Sequence, residues 1–143
     1  MMIIQYPAKI TYSKSDKSYL VEFQDLPGCL TEGGTVEEAQ ANAREALSGY
    51  LESIDMRKID IPRPSRNKGK DVYYITPEPS VAFAIWMKLA RIERGLSQKQ
   101  AAERLGINFQ AYQKFENPKK ANPTLKTIDR IERAFGVRLI AVS

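Results

Sequence analysis

A chain of 143 residues with no histidine has few routes to catalytic chemistry. Imidazole acid–base catalysis is excluded, and most zinc sites with it. Cys29 is the single cysteine. It can form no internal disulfide, and without histidine or a nearby cationic cluster nothing lowers its pKa toward a reactive thiolate. A small buried strand residue is its expected role. Arg91 and Glu116 are residue types that could make an acid–base pair. Asp25, Glu32, Glu37 and Glu38 cluster in the sequence, but Glu37 and Glu38 fall in the first turn of an expected helix, where the dipole favours carboxylates. Tyr6, Tyr12 and Tyr19 could line a pocket; their spacing instead fits a sheet face packed under a helix. No metal and no cofactor are expected.

Charge divides the chain more sharply than these candidates do. The net charge of +5 hides an asymmetry. Residues 1–78 carry ten Lys/Arg against twelve Asp/Glu, a net of −2, and residues 79–143 carry twelve against five, a net of +7. Arg63, Arg66, Lys68 and Lys70 sit at the end of the first block, so residues 1–62 alone stand at −4. An acidic block followed by a basic one predicts two domains with two jobs, 1–78 and 79–143, the second facing nucleic acid. The composition, 43% hydrophobic and 27% charged, is that of an ordinary folded soluble protein. No apolar run approaches the ~20 residues of a membrane helix, and the N-terminus lacks the pattern of a signal peptide. A reduced, cytoplasmic protein is expected, with no membrane partner.

The elements that must position these residues follow from periodicity. Ile4, Tyr6, Ala8, Ile10 and Tyr12 alternate with polar neighbours, as do Tyr19, Val21 and Phe23, which predicts two half-buried strands around a polar hairpin loop. Asp25-Leu26-Pro27-Gly28 is turn chemistry, and a short third strand is expected around Cys29 to Gly33. Thr35-Val36-Glu37-Glu38 has the form of a capping box, opening a helix whose stripe is Val36, Ala39, Ala43, Leu47, Leu51 and Ile54. A polar stretch to Asp71 precedes a fourth strand, Val72 to Thr76. Beyond Pro79 the period becomes helical. Ser80 is expected to cap a helix ending before Gly95, and Ser97 with Gln100 forms a second capping box. Asn108 caps a third helix, Thr124 opens a fourth that stops at Gly136, and the tail Arg138 to Val142 is apolar enough for a final strand.

Short helix, glycine, short helix is the helix-turn-helix unit, and the basic half resembles the Xre/Cro-like repressors. The resemblance runs from Arg91 to Val137 through Gly95-Leu96-Ser97-Gln98, Ala101-Ala102, Leu105-Gly106-Ile107, Phe115-Glu116-Asn117, Pro123, Leu125, Ile128 and Ala134-Phe135-Gly136. It implies that Asn108 starts the recognition helix and that Phe109, Gln110, Gln113 and Lys114 lie at its start and on its outward face, where base edges are read. Glutamine can pair with adenine and lysine can donate to guanine. It implies a phosphate contact for Gln98 and electrostatic contact with the DNA backbone for Lys119 and Lys120. Arg91 and Glu116 become a structural ion pair rather than catalytic groups.

In the acidic half, Asp25-Leu26-Pro27-Gly28-Cys29, then Thr31, Gly33, Thr35, Glu37-Glu38-Ala39, and then Asn42-Ala43, Glu45-Ala46-Leu47 resemble the HicB antitoxin family. That resemblance implies a β-β-β-α-β, partial RNase H-like domain, giving an α+β chain with an all-α helix-turn-helix domain behind it. It also implies a HicA-like ribonuclease toxin and operator double-stranded DNA as partners. Nuclease activity of the domain itself would need carboxylates holding Mg²⁺, the first on the opening strand, and Ile3 to Tyr12 contains no Asp or Glu. The expected function is therefore a non-enzymatic antitoxin that neutralises a small mRNA-cleaving ribonuclease and represses its own operon. A ligand-sensing repressor without a toxin is the alternative. Asp25 and Glu32 are the candidate toxin contacts. Homodimerisation, with a higher oligomer left open, is expected through a second apolar stripe bearing Trp86 and through Leu139, Ile140, Ala141 and Val142.

Overall fold

The computed structural model describes residues 4–139. Its described residues form two compact units, Ile4–Glu78 and residues 79–139. The first consists of β1 (Tyr6–Ser13), β2 (Ser18–Phe23), β3 (Leu30–Gly33), α1 (Val36–Met56) and β4 (Val72–Ile75). The sheet order is β3-β2-β1-β4, with every pairing antiparallel.

Strand alternation and register together make one apolar face. Tyr6, Ala8 and Ile10 are buried, and Ala8 lies opposite Phe23 and Ile10 opposite Val21, both buried as well. Helix α1 lays Ala39, Ala43, Leu47, Leu51 and Ile54 on that face. Its start is set locally: Thr35 Oγ1 accepts the Glu38 N–H at 3.0 Å, with Glu37 and Glu38 in the first turn, the carboxylate placement the helix dipole favours. Tyr12 shares the face in sequence, yet it is 54% exposed and meets Tyr19 edge-on at 5.1 Å. Cys29 is buried immediately before β3, and burial pushes its thiol up to about 11. A thiol reagent at pH 8 should therefore modify the folded protein about 100-fold more slowly than the urea-unfolded chain, because the thiolate fraction falls in proportion. Equal rates would place Cys29 at the surface.

Between α1 and β4 the segment 57–71 has no regular structure but is tied down. The Tyr6 hydroxyl donates to the Pro62 carbonyl at 2.6 Å, and the Ser65 N–H donates to Asp25 Oδ2 at 2.8 Å. Burial, with the Asp25 charge second, holds the Tyr6 phenol well above its usual range, while Arg63 acts in the opposite direction.

The second unit consists of α2 (Pro79–Glu93), α3 (Gln98–Leu105), α4 (Phe109–Phe115) and α5 (Leu125–Phe135). Gly95, Gly106 and Gly136 follow α2, α3 and α5 with φ of 66°, 70° and 65°, the left-handed conformation in which a Cβ is disfavoured. The cap expected at Ser80 is not used: α2 begins at Pro79, whose missing N–H costs nothing at a first helical position. α2 also departs from expectation in its burial. The stripe Val81, Ile85, Leu89 is buried, but so are Trp86, Met87 and Ala90, with Trp86 only 3% exposed. Phe83 stacks beside Trp86 at 6.5 Å and meets Phe115 edge-on at 6.1 Å. A helix apolar around most of its circumference behaves as a core helix, so Trp86 does not offer the free apolar stripe expected for dimerisation. Residues 137–139 are not in a strand, and Ile140, Ala141 and Val142 lie outside the described residues. Leu139 is half-buried, its N–H donating to Glu132 Oε2 at 2.6 Å. Among the described residues no helix is long and apolar enough to cross a membrane.

Candidate functional site

The helix-turn-helix is assembled by three local devices. Ser97 closes a full capping box: its hydroxyl accepts the Gln100 N–H at 3.0 Å, and its own N–H donates to Gln100 Oε1 at 2.9 Å. Gly106 turns the chain, and Asn108 Oδ1 then accepts the Ala111 N–H at 2.8 Å to start α4. Ala101, Ala102, Leu105 and Tyr112 are buried where α3 and α4 pack together and against their neighbours α5 and α2, while Ile107 and Phe115 are half-buried. Ala101 and Ala102, the small residues at which the sequence predicts close helix approach, are both buried.

This packing fixes which face of α4 meets solvent. Gln110, Gln113 and Lys114 are exposed, and Phe109 is 36% exposed beside them. Lys119 and Lys120 are exposed in the loop that follows, where the Lys119 N–H donates to Asn117 Oδ1 at 2.9 Å. Two amides and three cations along one helix and its loop form a surface with both base-reading and phosphate-binding chemistry. Asn108 is exposed, but its side-chain oxygen is already used as the helix cap.

Behind that face lies a buried polar hub that positions it. Glu116 is 6% exposed and accepts Arg91 Nε at 2.6 Å and Nη2 at 3.0 Å, a bidentate pair. Gln98 Nε2 donates to Glu116 Oε1 at 3.1 Å, and the fully buried Tyr112 hydroxyl donates to Oε2. Arg91 Nη1 reaches the Leu96 carbonyl at 2.9 Å. The hydrogen bond to Glu116 raises the Arg91 pKa above its ordinary value, against the opposing effect of burial. Burial, and then the Glu116 charge, push the Tyr112 phenol far up. Arg91 and Glu116 are thus the ion pair expected from the sequence, but the two further donors were not anticipated. Tyr112 and Glu116 are four apart on one helical face, which is the signal that could have found them. Gln98, expected at a DNA phosphate, is half-buried and spends one of its two amide hydrogens on Glu116. Arg94 was also missed: it bonds the Ala90 and Phe135 carbonyls at 2.8 Å each and sits 4.9 Å over the Phe135 ring, tying α2 to the end of α5.

The two carboxylates singled out in the first unit are not equivalent. Asp25 holds the segment 57–71 through Ser65, which is an architectural role. Glu32 is exposed on the edge strand β3, with Ser18 Oγ donating to its carboxylate at 3.2 Å.

Residues 5–77 match the model of the HicB-like antitoxins of bacterial toxin–antitoxin systems, and residues 87–141 match a helix-turn-helix model. Antitoxin HicB 1 of Photorhabdus laumondii subsp. laumondii is 30% identical over 138 residues, 95% of this chain and 84% of that protein. Antitoxin HicB of Escherichia coli (strain K12) is 32% identical over 107 residues, 72% of this chain and 73% of its own. A chain of a solved HicA3 and HicB3 toxin–antitoxin complex aligns with 53% of this chain and 100% of itself at 20% identity, with a TM-score of 0.45. With a match over half of its length, and relatives aligned over most of it, the chain belongs to the HicB-like antitoxin family and carries a helix-turn-helix DNA-binding domain behind the antitoxin domain.

Proposed function

We propose that this chain is the antitoxin of a HicA/HicB-type pair, a non-enzymatic inhibitor that binds and silences a small mRNA-cleaving ribonuclease and represses its own operon. The observation that carries this reading is the joining, in one chain, of a HicB-like unit at residues 5–77 with a helix-turn-helix at residues 87–141. The acidic character of the first unit suits a basic RNA-binding partner, and Glu32 is its best-placed candidate contact. The strongly basic second unit suits operator DNA, with Gln110, Gln113 and Lys114 reading bases and Lys119 and Lys120 meeting phosphates. Both activities belong in the cytoplasm. A second copy related by a two-fold axis would set two recognition helices about one DNA turn, ~34 Å, apart on a palindromic operator.

The test of inhibition uses a HicA-type ribonuclease, sought first in the reading frame adjacent to this chain's gene. A fragment ending at Pro77 should still silence it while losing all binding to operator DNA. A folded fragment that never binds the ribonuclease would end the antitoxin reading.

Operator binding separates the two classes of contact. Gln110→Ala should cost ~1–3 kcal/mol and relax preference at one base position. Lys119→Ala should weaken all sequences alike and flatten the dependence of log K on log salt by about one unit. Unchanged operator titrations for both variants would remove α4 from the interface.

A further inference from the structure

The proposed function makes no use of the basic run at the end of the first unit. Residues 1–62 are net negative, yet Arg66, Lys68 and Lys70 follow within a few residues. All three are exposed, and among the described residues none makes a hydrogen bond or ion pair. Lys9, exposed on β1 directly opposite Val72, adds a fourth cation beside the point where this segment enters β4.

A run of like charges in an irregular segment would ordinarily extend into solvent. This one is held to the sheet. Between Arg66 and Lys68, Asn67 donates its side-chain amide to Gln24 Oε1 at 3.0 Å and its backbone N–H to the Tyr74 hydroxyl at 2.6 Å. Its carbonyl accepts from the Tyr74 hydroxyl at 2.9 Å, and its Oδ1 accepts the Gly69 N–H at 2.9 Å. Further on, the Asp71 carbonyl accepts the Ile10 N–H at 2.9 Å, with Asp71 itself at φ 64°. Asn67 therefore faces the protein while the cations on either side of it face water. Solubility needs no such arrangement. An irregular segment as long as 57–71 is uncommon in a compact domain and, when it is ordered, is usually functional, and an anchored row of unpaired cations is pre-organised for a polyanion.

We propose that Arg66, Lys68 and Lys70 form a second nucleic-acid contact that grips the phosphate backbone of the duplex engaged by the helix-turn-helix of the same chain. Duplex DNA is favoured because the chain already carries a DNA-reading unit. Once that unit is bound, any contact of the first unit with the same duplex is intramolecular, so even a weak charge contact counts. The contact adds affinity and salt dependence but no sequence preference.

The experiment uses the full chain with a 40-base-pair duplex of arbitrary sequence, titrated by fluorescence anisotropy at several salt concentrations. The triple variant Arg66→Gln/Lys68→Gln/Lys70→Gln should reduce the slope of log K against log salt by about 2.7 units. The advantage of the unmodified chain should then shrink about 40-fold between 50 and 200 mM salt. Lys14→Gln/Lys17→Gln, in the exposed β1–β2 loop, should leave the slope unchanged. An unchanged slope in the triple variant overturns the proposal, as does an equal loss in the loop variant, which would reduce the effect to net charge. A larger loss on a single-stranded RNA 20-mer than on the duplex also overturns it, in favour of RNA. An unchanged slope with weakened ribonuclease inhibition overturns it in favour of a protein partner. Failure of the unmodified chain to bind any duplex would sink the helix-turn-helix reading along with this one.

Discussion

Replacing Glu116 with alanine should lower the stability of the helix-turn-helix unit by about 3–5 kcal/mol, the cost of stranding one partner of a buried ion pair. Four donors converge on that carboxylate: two from Arg91, one from Gln98 and one from Tyr112. The alanine variant leaves the Arg91 guanidinium, whose side chain is 13% exposed, without its counter-charge, and it leaves the Tyr112 hydroxyl without an acceptor in the interior. Glu116→Gln keeps a hydrogen-bond acceptor but loses the charge, so its loss should be smaller. The chain has one tryptophan, Trp86, buried in α2, so urea unfolding followed by its fluorescence reports on this unit directly. A shift below ~1 kcal/mol for Glu116→Ala would mean that the hub is incidental to stability.

Gly33→Ala should be the corresponding lesion in the antitoxin domain. A Cβ built on Gly33 would lie 2.4 Å from the Ala39 backbone nitrogen, 2.7 Å from the Ala39 Cα and 2.8 Å from the Glu38 carbonyl carbon. These are backbone atoms in the first turns of α1, so no side-chain rotation relieves the overlap, and β3 must separate from the helix or the helix must shift. Overpacking of this kind costs about 3 kcal/mol. Hydrogen exchange at the β2–β3 amides should speed up accordingly, and ribonuclease inhibition should fall with it. Gly34→Ala is the matched control, since its Cβ would meet only the movable Glu38 carboxylate at 3.4 Å. Equal exchange rates in the Gly33→Ala protein would mean that the approach of β3 to α1 can relax at little cost.

Much of this architecture is decided within a few residues of chain and was legible in the sequence. Ser97 and Gln100 satisfy each other across three residues, and Thr35, Asn108 and Thr124 each cap the helix that follows them. Glycines at 95, 106 and 136 mark helix ends because only a residue without a Cβ is at ease at their positive φ. The alternation of β1 and β2 and the stripe of α1 pick out buried residues correctly at Tyr6, Ala8, Ile10, Val21 and Phe23 and at Ala39, Ala43, Leu47, Leu51 and Ile54, though Pro7 and Ser48 are buried as well. Tyr12 breaks the pattern because alternation selects a face of the sheet without showing how far the helix covers it.

What periodicity could not supply was the partner of each side chain across distance. Nothing local shows that Asp25, a candidate toxin contact by type, accepts the backbone N–H of Ser65 forty residues away. Nor does spacing show that Gln98, the expected phosphate donor, also spends one of its two amide hydrogens on Glu116. Two stripes on one helix suggest a free surface at Trp86, yet the folded chain buries Trp86, Met87 and Ala90 as well as Val81, Ile85 and Leu89, and it is Ile92 that stays exposed. Sequence by itself determined where elements start, stop and turn, and which face of each is apolar, because those follow from backbone sterics, capping and a fixed period. Tertiary structure alone decided which polar groups were already satisfied and which stayed free, because a hydrogen bond or a covered surface depends on a second segment whose position no local spacing encodes.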